Sequence, residues 1–533
     1  MTSAVEVTPD VPPSATTSRN ALPRGSAREL RNAFAFAAIT LLILLVAFWP
    51  AFEQPGGLMD EGMILVYPEL IQHGQVPYRD FETFYGPAGP AVLAPVFAAF
   101  GADIFVERTL GLLYRVAILL GIFTIVQPRG NSLAAGCMLL AGCLLLGTGL
   151  PAYAWIGAIA CAIWSLWFAS QSQSAVRCFL AGLLAGSALL FRIDTGPAIL
   201  LSALPLLSRM TLAKRGIYLM GGALALLPLG TLILLVGWKP VLNNLFLMPV
   251  IACNPARRLP LLSAQPYLLN LFFAHLAAVM INITAGWIAL RSSDRRMGKG
   301  LLLAISLFAL GLTHQATQRL DSLHLIFTIF LSLAIVPLSL VVIWSHFRNR
   351  RPGPTENWLA VVLTIAVLQG IAPELTSMVR SAFAAGFGTT ASASFAELGD
   401  RSFPFYSAEM AASVDQMLKA LDSQSKRGQR LFVGPADLRR TNYNDTWIYH
   451  MLPKLTAASY FLEMNPFSAN RPGSRLAADI ATADWLVLNR AWDTWNEPNR
   501  SIEYGSDAPN RVVRERFELR GKFGGYLLFH RKG

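Results

Sequence analysis

The sequence predicts a polytopic, all-α membrane bundle with a small α/β domain at its C-terminal end, and three observations carry that prediction. Hydrophobic residues make up 54% of the 533 and charged residues only 14%, far from the balance of a water-soluble domain. Apolar runs such as 33–51 and 325–343 approach the roughly 20 helical residues that cross a hydrocarbon core of about 30 Å, and uninterrupted apolarity selects helices over barrel strands. After Ile371 the composition turns polar.

The elements follow in order. Residues 1–32 are rich in Ser, Thr and Pro and close on Arg19, Arg24, Arg28 and Arg31; they read as a disordered cytoplasmic tail. The first apolar run reads as an uncleaved anchor, because no clear small-residue cleavage site follows it. Stretch 87–101 is short and contains Pro90 and Pro95. Counting it as an interfacial helix puts every strongly basic short loop on one side: Arg129, Arg177, then Arg209, Lys214 and Arg215, then Arg291, Arg295, Arg296 and Lys299, then Arg348, Arg350 and Arg351. The positive-inside rule makes that side the cytoplasm. About eleven spans result, each judged against the length needed to cross, at 33–51, 107–126, 133–149, 154–170, 176–191, 197–208, 216–237, 267–290, 300–313, 325–345 and 356–373. They form a membrane domain over 33–373, with a first outward loop at 52–106. Residues 374–533 then lie outside. There Ser407–Leu421 has helical spacing, 430–434, 485–488 and 526–529 read as buried strands, and 380–400 reads as a linker or irregular loop.

The net charge of +12, being gathered in those loops, reports orientation and contact with membrane lipid and excludes nucleic acid as the partner. The five Cys show no metal-like spacing and no disulfide framework. Neither a Walker loop nor a Gly-rich nucleotide fingerprint is present.

Ionisable and aromatic groups concentrate in the first outward loop: Asp60, Glu61, Glu69, His73, Tyr78, Arg79, Asp80, Glu82 and Tyr85. Carboxylates against a membrane cost free energy unless they are used or paired. Residues 61–72 read as a helix that Asp60 can cap, which does not account for the groups that follow. Taken together, Asp60-Glu61-Gly62, Leu70, Gly74, Pro77-Tyr78-Arg79-Asp80-Phe81 and Tyr85-Gly86-Pro87 resemble the first periplasmic loop of the GT-C superfamily of membrane glycosyltransferases. Within it they look most like bacterial enzymes of the protein-mannosyltransferase and aminoarabinose-transferase type. The resemblance implies a GT-C-like bundle in a bacterial inner membrane, with Asp60 at the reacting centre and Asp80 as a second acid. Similar members often carry Lys-Pro where this chain has Gly86-Pro87, so another cation has to meet the phosphate.

Moving a sugar from a polyprenyl phosphate to a hydroxyl needs a base for the acceptor proton and cations for the departing phosphate. Asp60 is the candidate base; Asp80 would orient the acceptor or hold a cation, with Glu61 as a further candidate. Tyr78, Arg79 and Tyr85 are candidate substrate contacts. Outward cations are Arg192 beside Asp194, Arg257 with Arg258, and Arg319 with Asp321 and His324. Each has a structural alternative, as an ion pair, an anchor to lipid headgroups or a solvated loop. The metal requirement is unknown; a divalent ion on His314, Asp321 and His324 is possible, with spacing that is not diagnostic. Tyr443–Trp447, Asn465-Pro466, Trp492, Trp495 and Asn496 could stack on sugars, though turn or core roles are favoured. The expected activity is an inverting glycosyltransferase acting on a glycan, lipid or protein hydroxyl. The alternative is a transporter or flippase of polyprenyl-linked glycans, which should show polar or broken helices near the bilayer midplane.

Overall fold

The computed structural model describes residues 27–261, 264–292, 298–350, 352–388 and 393–533. Most of the expected tail, up to residue 26, lies outside the described residues, as do Arg295, Arg296 and Arg351. Among the described residues, seven helical stretches are long and apolar enough to cross a membrane: Ala27–Phe52, Ile104–Arg129, Asn131–Thr148, Pro266–Arg291, Leu301–Gln318, Ser322–Arg348 and Pro354–Ile371. The pair Leu212–Ala225 and Leu227–Val236 would make an eighth, bent by 44° where Pro228 removes a backbone donor. Shorter apolar helices, Ala154–Ser170, Ala175–Phe191 and Ile193–Leu207, stand where three further spans were expected, so a count of eleven depends on them. The chain is a multi-pass membrane protein.

Between the first two spans lie the loop helix Asp60–Gln72 and a second helix, Ala88–Phe100. The latter, with 13 residues, rises only about 20 Å, too little to cross. The loop helix is pinned at its start. Arg108, one turn into the second span, donates through Nε and Nη2 to the two carboxylate oxygens of Glu61 at 2.6 and 2.8 Å. Its Nη1 donates to the carbonyls of Ala51 and Phe52 at 3.2 and 2.7 Å. Both side chains are buried, and a buried bidentate pair of this kind fixes orientation as well as position. Glu61, a candidate catalytic acid from the sequence, is therefore committed to this structural pair.

After the last span, helix Pro373–Gly386 packs back on the first helix, so the linker expected over 380–400 is in part helical. The C-terminal region then forms a hairpin of β1 (Ser394–Leu398) and β2 (Arg401–Phe405), and a five-stranded sheet of β3 (Arg430–Pro435), β4 (Thr456–Ala457), β5 (Trp485–Asn489), β6 (Phe517–Phe523) and β7 (Tyr526–Arg531) in the order β4-β3-β5-β7-β6. β3, β4 and β5 are parallel; β7 pairs antiparallel with β5 and β6. The strands expected at 430–434, 485–488 and 526–529 and the helix Ala408–Gln424 are present, whereas β6, with charged residues on its exposed side, gave no apolar signal.

The loop helix and this module share one core: Met63, Val66, Tyr67 and Leu70 pack with Phe403, Phe405 and Trp447. Gly62 makes the approach possible, since a Cβ there would lie 2.3 Å from both Thr446 Oγ1 and the Trp447 nitrogen. Thr446 in turn donates to the Met59 carbonyl at 2.7 Å.

Arg108→Met should leave Glu61 as an uncompensated buried charge and cost about 3–5 kcal/mol, whereas pairing it with Glu61→Leu should restore most of the loss. Unfolding midpoints of the single and double variants in one lipid or detergent system check this.

Candidate functional site

Three adjoining chambers open at one end of the bundle, and Tyr85 and His324 border all three. The first is apolar, walled by Met63, Ile64, Leu93, Tyr114 and Phe327. The second, of about 380 Å³, is cationic, with Arg192, Arg257, Arg258 and Arg319. The third, of about 200 Å³, is polar and lies against the C-terminal module, with Asn442, Tyr443, Glu463, Asn465, Glu497 and Ser501. Helix direction accounts for the gathering. Ala175–Phe191 runs from Arg177 to Arg192, and Leu301–Gln318 from Lys299 to Arg319, so the site lies opposite those basic loop residues.

Asp60, the first residue of the loop helix, borders the apolar and polar chambers. It is half-buried, and its carboxylate has no hydrogen bond or ion pair among the described residues. Burial pushes its pKa up; His324, Arg319 and Arg257 oppose the rise and Asp321 adds to it.

Arg192 and Arg319 share a local design. Each is the extended residue that ends a helix, and each has an Asp two positions on. Arg192 holds Asp194 through Nε at 3.0 Å and Nη2 at 2.5 Å, while Gln315 donates to Asp194 at 2.6 Å. Its guanidinium lies 4.4 Å from the Trp155 ring centroid and 5.1 Å from that of Tyr85, and its Nη1 makes no hydrogen bond among the described residues. A Cβ at Gly86 would sit 1.9 Å from the Leu190 carbonyl oxygen, so the backbone closes over the position where the resemblance leads one to expect a Lys, and Arg192 is the cation nearby.

Arg319 differs. Nε donates to Asp321 at 2.7 Å, Nη1 to the Arg257 carbonyl and to Glu497, each at 3.0 Å, and Nη2 to Tyr443 at 2.7 Å and to Glu497. All five guanidinium donors are used within the protein. The phosphate role considered for Arg319 gives way to that of a bridge between membrane helices and module. Asp321 caps helix Ser322–Ala334 and accepts from His324 Nδ1 at 2.9 Å. Arg257 lies over the Phe84 ring at 5.4 Å, and neither it nor the exposed Arg258 has an ion-pair partner among the described residues.

Asp80 is not part of this constellation. Tyr78, at φ +70°, turns the chain sharply, and the Asp80 carboxylate closes that turn by accepting from the Val76 nitrogen at 2.7 Å. Arg79 pairs with it at 2.8 Å on the surface. Tyr78 donates to the Tyr85 carbonyl at 2.9 Å, and Tyr78 and Arg79 line a separate surface pocket with Trp238, Lys239 and Tyr460. The additional acids at the site come from the module. Glu463 accepts from Tyr67 of the loop helix and from Asn465 at 3.0 Å, and Glu497 meets Arg319. A carboxylate inside the apolar run Tyr460-Phe461-Leu462-Glu463-Met464 was the available clue to the first. Tyr443, Asn465 and Pro466, for which turn or core roles were favoured, line the polar chamber. Among the described residues no group of three or more His, Cys, Asp or Glu is placed to hold a metal ion; His314 Nδ1 lies 2.7 Å from the Gly311 carbonyl oxygen, within its own helix.

No protein-family model and no curated protein matches the chain by sequence. Among solved structures it is similar to ArnT from Cupriavidus metallidurans bound to undecaprenyl phosphate, at 12% identity and a TM-score of 0.56, over 94% of this chain and 98% of that one. The apo form of the same enzyme superposes at a TM-score of 0.53 and 13% identity, with the same coverage. The chain has the GT-C fold. Within this fold, the sheet module walls one side of the polar chamber, and the start of the loop helix with residues 256–257 and 319–324 walls the other.

Glu82 is buried in the contact between loop and module, next to Ser468 and 3.5 Å from Asn465. Its pKa is pushed up to about 8, first by burial and further by Glu463, against the Ser468 hydrogen bond. Because the folded value exceeds the ordinary 4.5, its contribution to stability is complete below pH 4.5 and is lost as pH rises through about 8. Glu82→Gln should flatten that slope in unfolding midpoints taken across the range. Separately, Arg319→Met should cost about 3–5 kcal/mol by stranding Glu497 and Asp321, while Arg257→Met and Arg258→Met should stay within about 0.5 kcal/mol; denaturant titration compares them.

Proposed function

We propose that this protein is an inverting glycosyltransferase that moves a monosaccharide from a polyprenyl phosphate to an acceptor hydroxyl at the outer face of a bacterial inner membrane. One observation carries the reading: an unpaired carboxylate, Asp60, stands beside chambers lined by cations with unused donors, Arg192, Arg257 and Arg258. The acceptor O–H gives its proton to Asp60 as its oxygen attacks the anomeric carbon. The bond from that carbon to the phosphate oxygen breaks on the opposite face, which inverts the configuration. The phosphate leaves with its charge against Arg257, Arg258 and the free Nη1 of Arg192, an arrangement that favours the developing anion. A raised carboxyl pKa makes Asp60 a stronger base than an ordinary Asp.

The apolar chamber suits the first isoprene units of the donor. Similarity in fold to an ArnT crystallised with undecaprenyl phosphate supports the same lipid class here. In this reading the basic loops face the cytoplasm and the sheet module faces the periplasm, and the acceptor is a glycan, a glycolipid or a protein.

The test is transfer from labelled polyprenyl-phosphate sugars by the purified protein in lipid. Asp60→Asn should lower kcat by about 10²–10⁴, and the acid limb of the wild-type pH profile should lie above the ordinary Asp value of 3.8, with activity lost as pH falls through it. Arg257→Ala and Arg258→Ala should each weaken polyprenyl-phosphate binding by roughly 10–100-fold, as expected for loss of a charged hydrogen bond. Full transfer by Asp60→Asn would sink the assignment, and lipid movement without a transfer product would favour the transporter.

A further inference from the structure

The reaction above uses the apolar and cationic chambers and leaves the polar chamber without an occupant. Two of its wall residues carry buried polar atoms with no partner among the described residues. Ser501 is 3% exposed, and its Oγ makes no hydrogen bond. Asn442 is 6% exposed; its Nδ2 donates to the Trp495 carbonyl at 3.0 Å, while its Oδ1 has no partner. A buried polar atom left unpaired loses its water without return, so two in one wall call for an explanation. The acids nearby are already engaged: Glu497 by Arg319 and Tyr443, Glu463 by Tyr67 and Asn465. On the module side what remains is a set of amide and hydroxyl groups, while Asp60, Arg257 and His324 stand at the border shared with the other chambers, around a volume of about 200 Å³. Beside it is an aromatic group in which the Tyr443 ring lies 5.5 Å from Trp492 and 5.7 Å from Trp495.

This chemistry suits a compact, uncharged ligand with many hydroxyls and one apolar C–H face. A lipid chain would desolvate the polar wall without compensation, and an extended peptide is larger than a chamber of about 200 Å³ can hold. We propose that the polar chamber seats a sugar ring belonging to the acceptor, so that the receiving hydroxyl is on a glycan or a sugar-headed lipid and not on a protein side chain. The proposal rests on the reading of Asp60 as base, since Asp60 borders this chamber and can meet a hydroxyl presented from it. Ser501, Asn442 and Tyr443 would be binding residues.

Saturation-transfer NMR on the full chain in lipid nanodiscs tests it, with methyl α-D-mannopyranoside, methyl β-D-galactopyranoside, methyl β-D-glucopyranoside and a Ser/Thr-rich peptide as probes. At least one glycoside should give a signal and the peptide none. Ser501→Ala or Asn442→Leu should weaken glycoside binding at least fivefold, and Ser501→Ala should also raise the unfolding midpoint, because it removes a buried hydroxyl that satisfies nothing in the fold. Undecaprenyl-phosphate binding, measured on the same samples, should be unchanged in both variants. The proposal is overturned by silence from every glycoside, by peptide binding in their place, or by glycoside binding unchanged in both variants. Absence of undecaprenyl-phosphate binding in the unaltered protein would strike the catalytic reading itself, whereas absence of glycoside binding in the unaltered protein, with phosphate binding intact, strikes this inference alone.

Discussion

Arg108 sits in the wall of a membrane-spanning helix at 1% exposure, where a lone guanidinium would be costly, and it is tolerated because three segments converge on it. The Ala51 and Phe52 carbonyls bring the end of the first helix, Glu61 brings the start of the loop helix, and Arg108 itself belongs to the second span. Its neighbour Glu107 extends the tie by accepting from the Ala152 nitrogen at 2.5 Å, just before helix Ala154–Ser170. With the loop helix anchored at Glu61, Asp60 is held one residue back and about 100° around the helix, at the border of the chambers. Three consecutive residues thus have three duties: Asp60 faces the chambers, Glu61 holds the bundle, and Gly62 lets the module approach.

The module is joined to the bundle by buried polar links as well as by apolar packing. Tyr67 meets Glu463; Glu69 is held by Arg401 at 2.8 Å and by His450 at 2.5 Å; Arg319 meets Glu497 and Tyr443. Such links specify one docked geometry more sharply than apolar contact does, since a displaced module would leave buried charges uncompensated. The polar chamber exists only in that geometry, because its walls come from the first loop, from the segments around Arg257 and Arg319–His324, and from the module.

What could be read from the sequence is what depends on local pattern. Span positions, strands β3, β5 and β7 and the start of the loop helix at Asp60 follow from apolar runs and periodicity, which are properties of neighbours in the chain. Asp80 shows the limit of such reading: whether an acid faces a cavity or closes its own turn depends on the left-handed backbone of Tyr78, which no composition reveals. Glu61 shows a second limit, because its partner lies in the next span. Tyr443, Glu463, Asn465 and Glu497 are brought to Asp60 only by tertiary docking, so their proximity left no trace in spacing.

The two Arg-x-Asp corners show why motif alone could not rank the cations. Arg192-Ile193-Asp194 and Arg319-Leu320-Asp321 end helices with almost the same backbone, φ −147° with ψ 107° and φ −147° with ψ 102°, and each Arg holds its own Asp. The surroundings separate them. Arg319 meets Glu497, Tyr443 and a carbonyl, which take every remaining donor. Arg192 meets the faces of Trp155 and Tyr85, which accept no conventional N–H hydrogen bond at Nη1 and leave that nitrogen free while excluding water from one side of the charge. A desolvated cation with unused donors binds an anion more strongly than a solvated one. The same local corner has therefore become a strut in one helix and, in the other, a cation with a spare donor that is proposed to meet the phosphate, and the difference lies in what the fold packs against it.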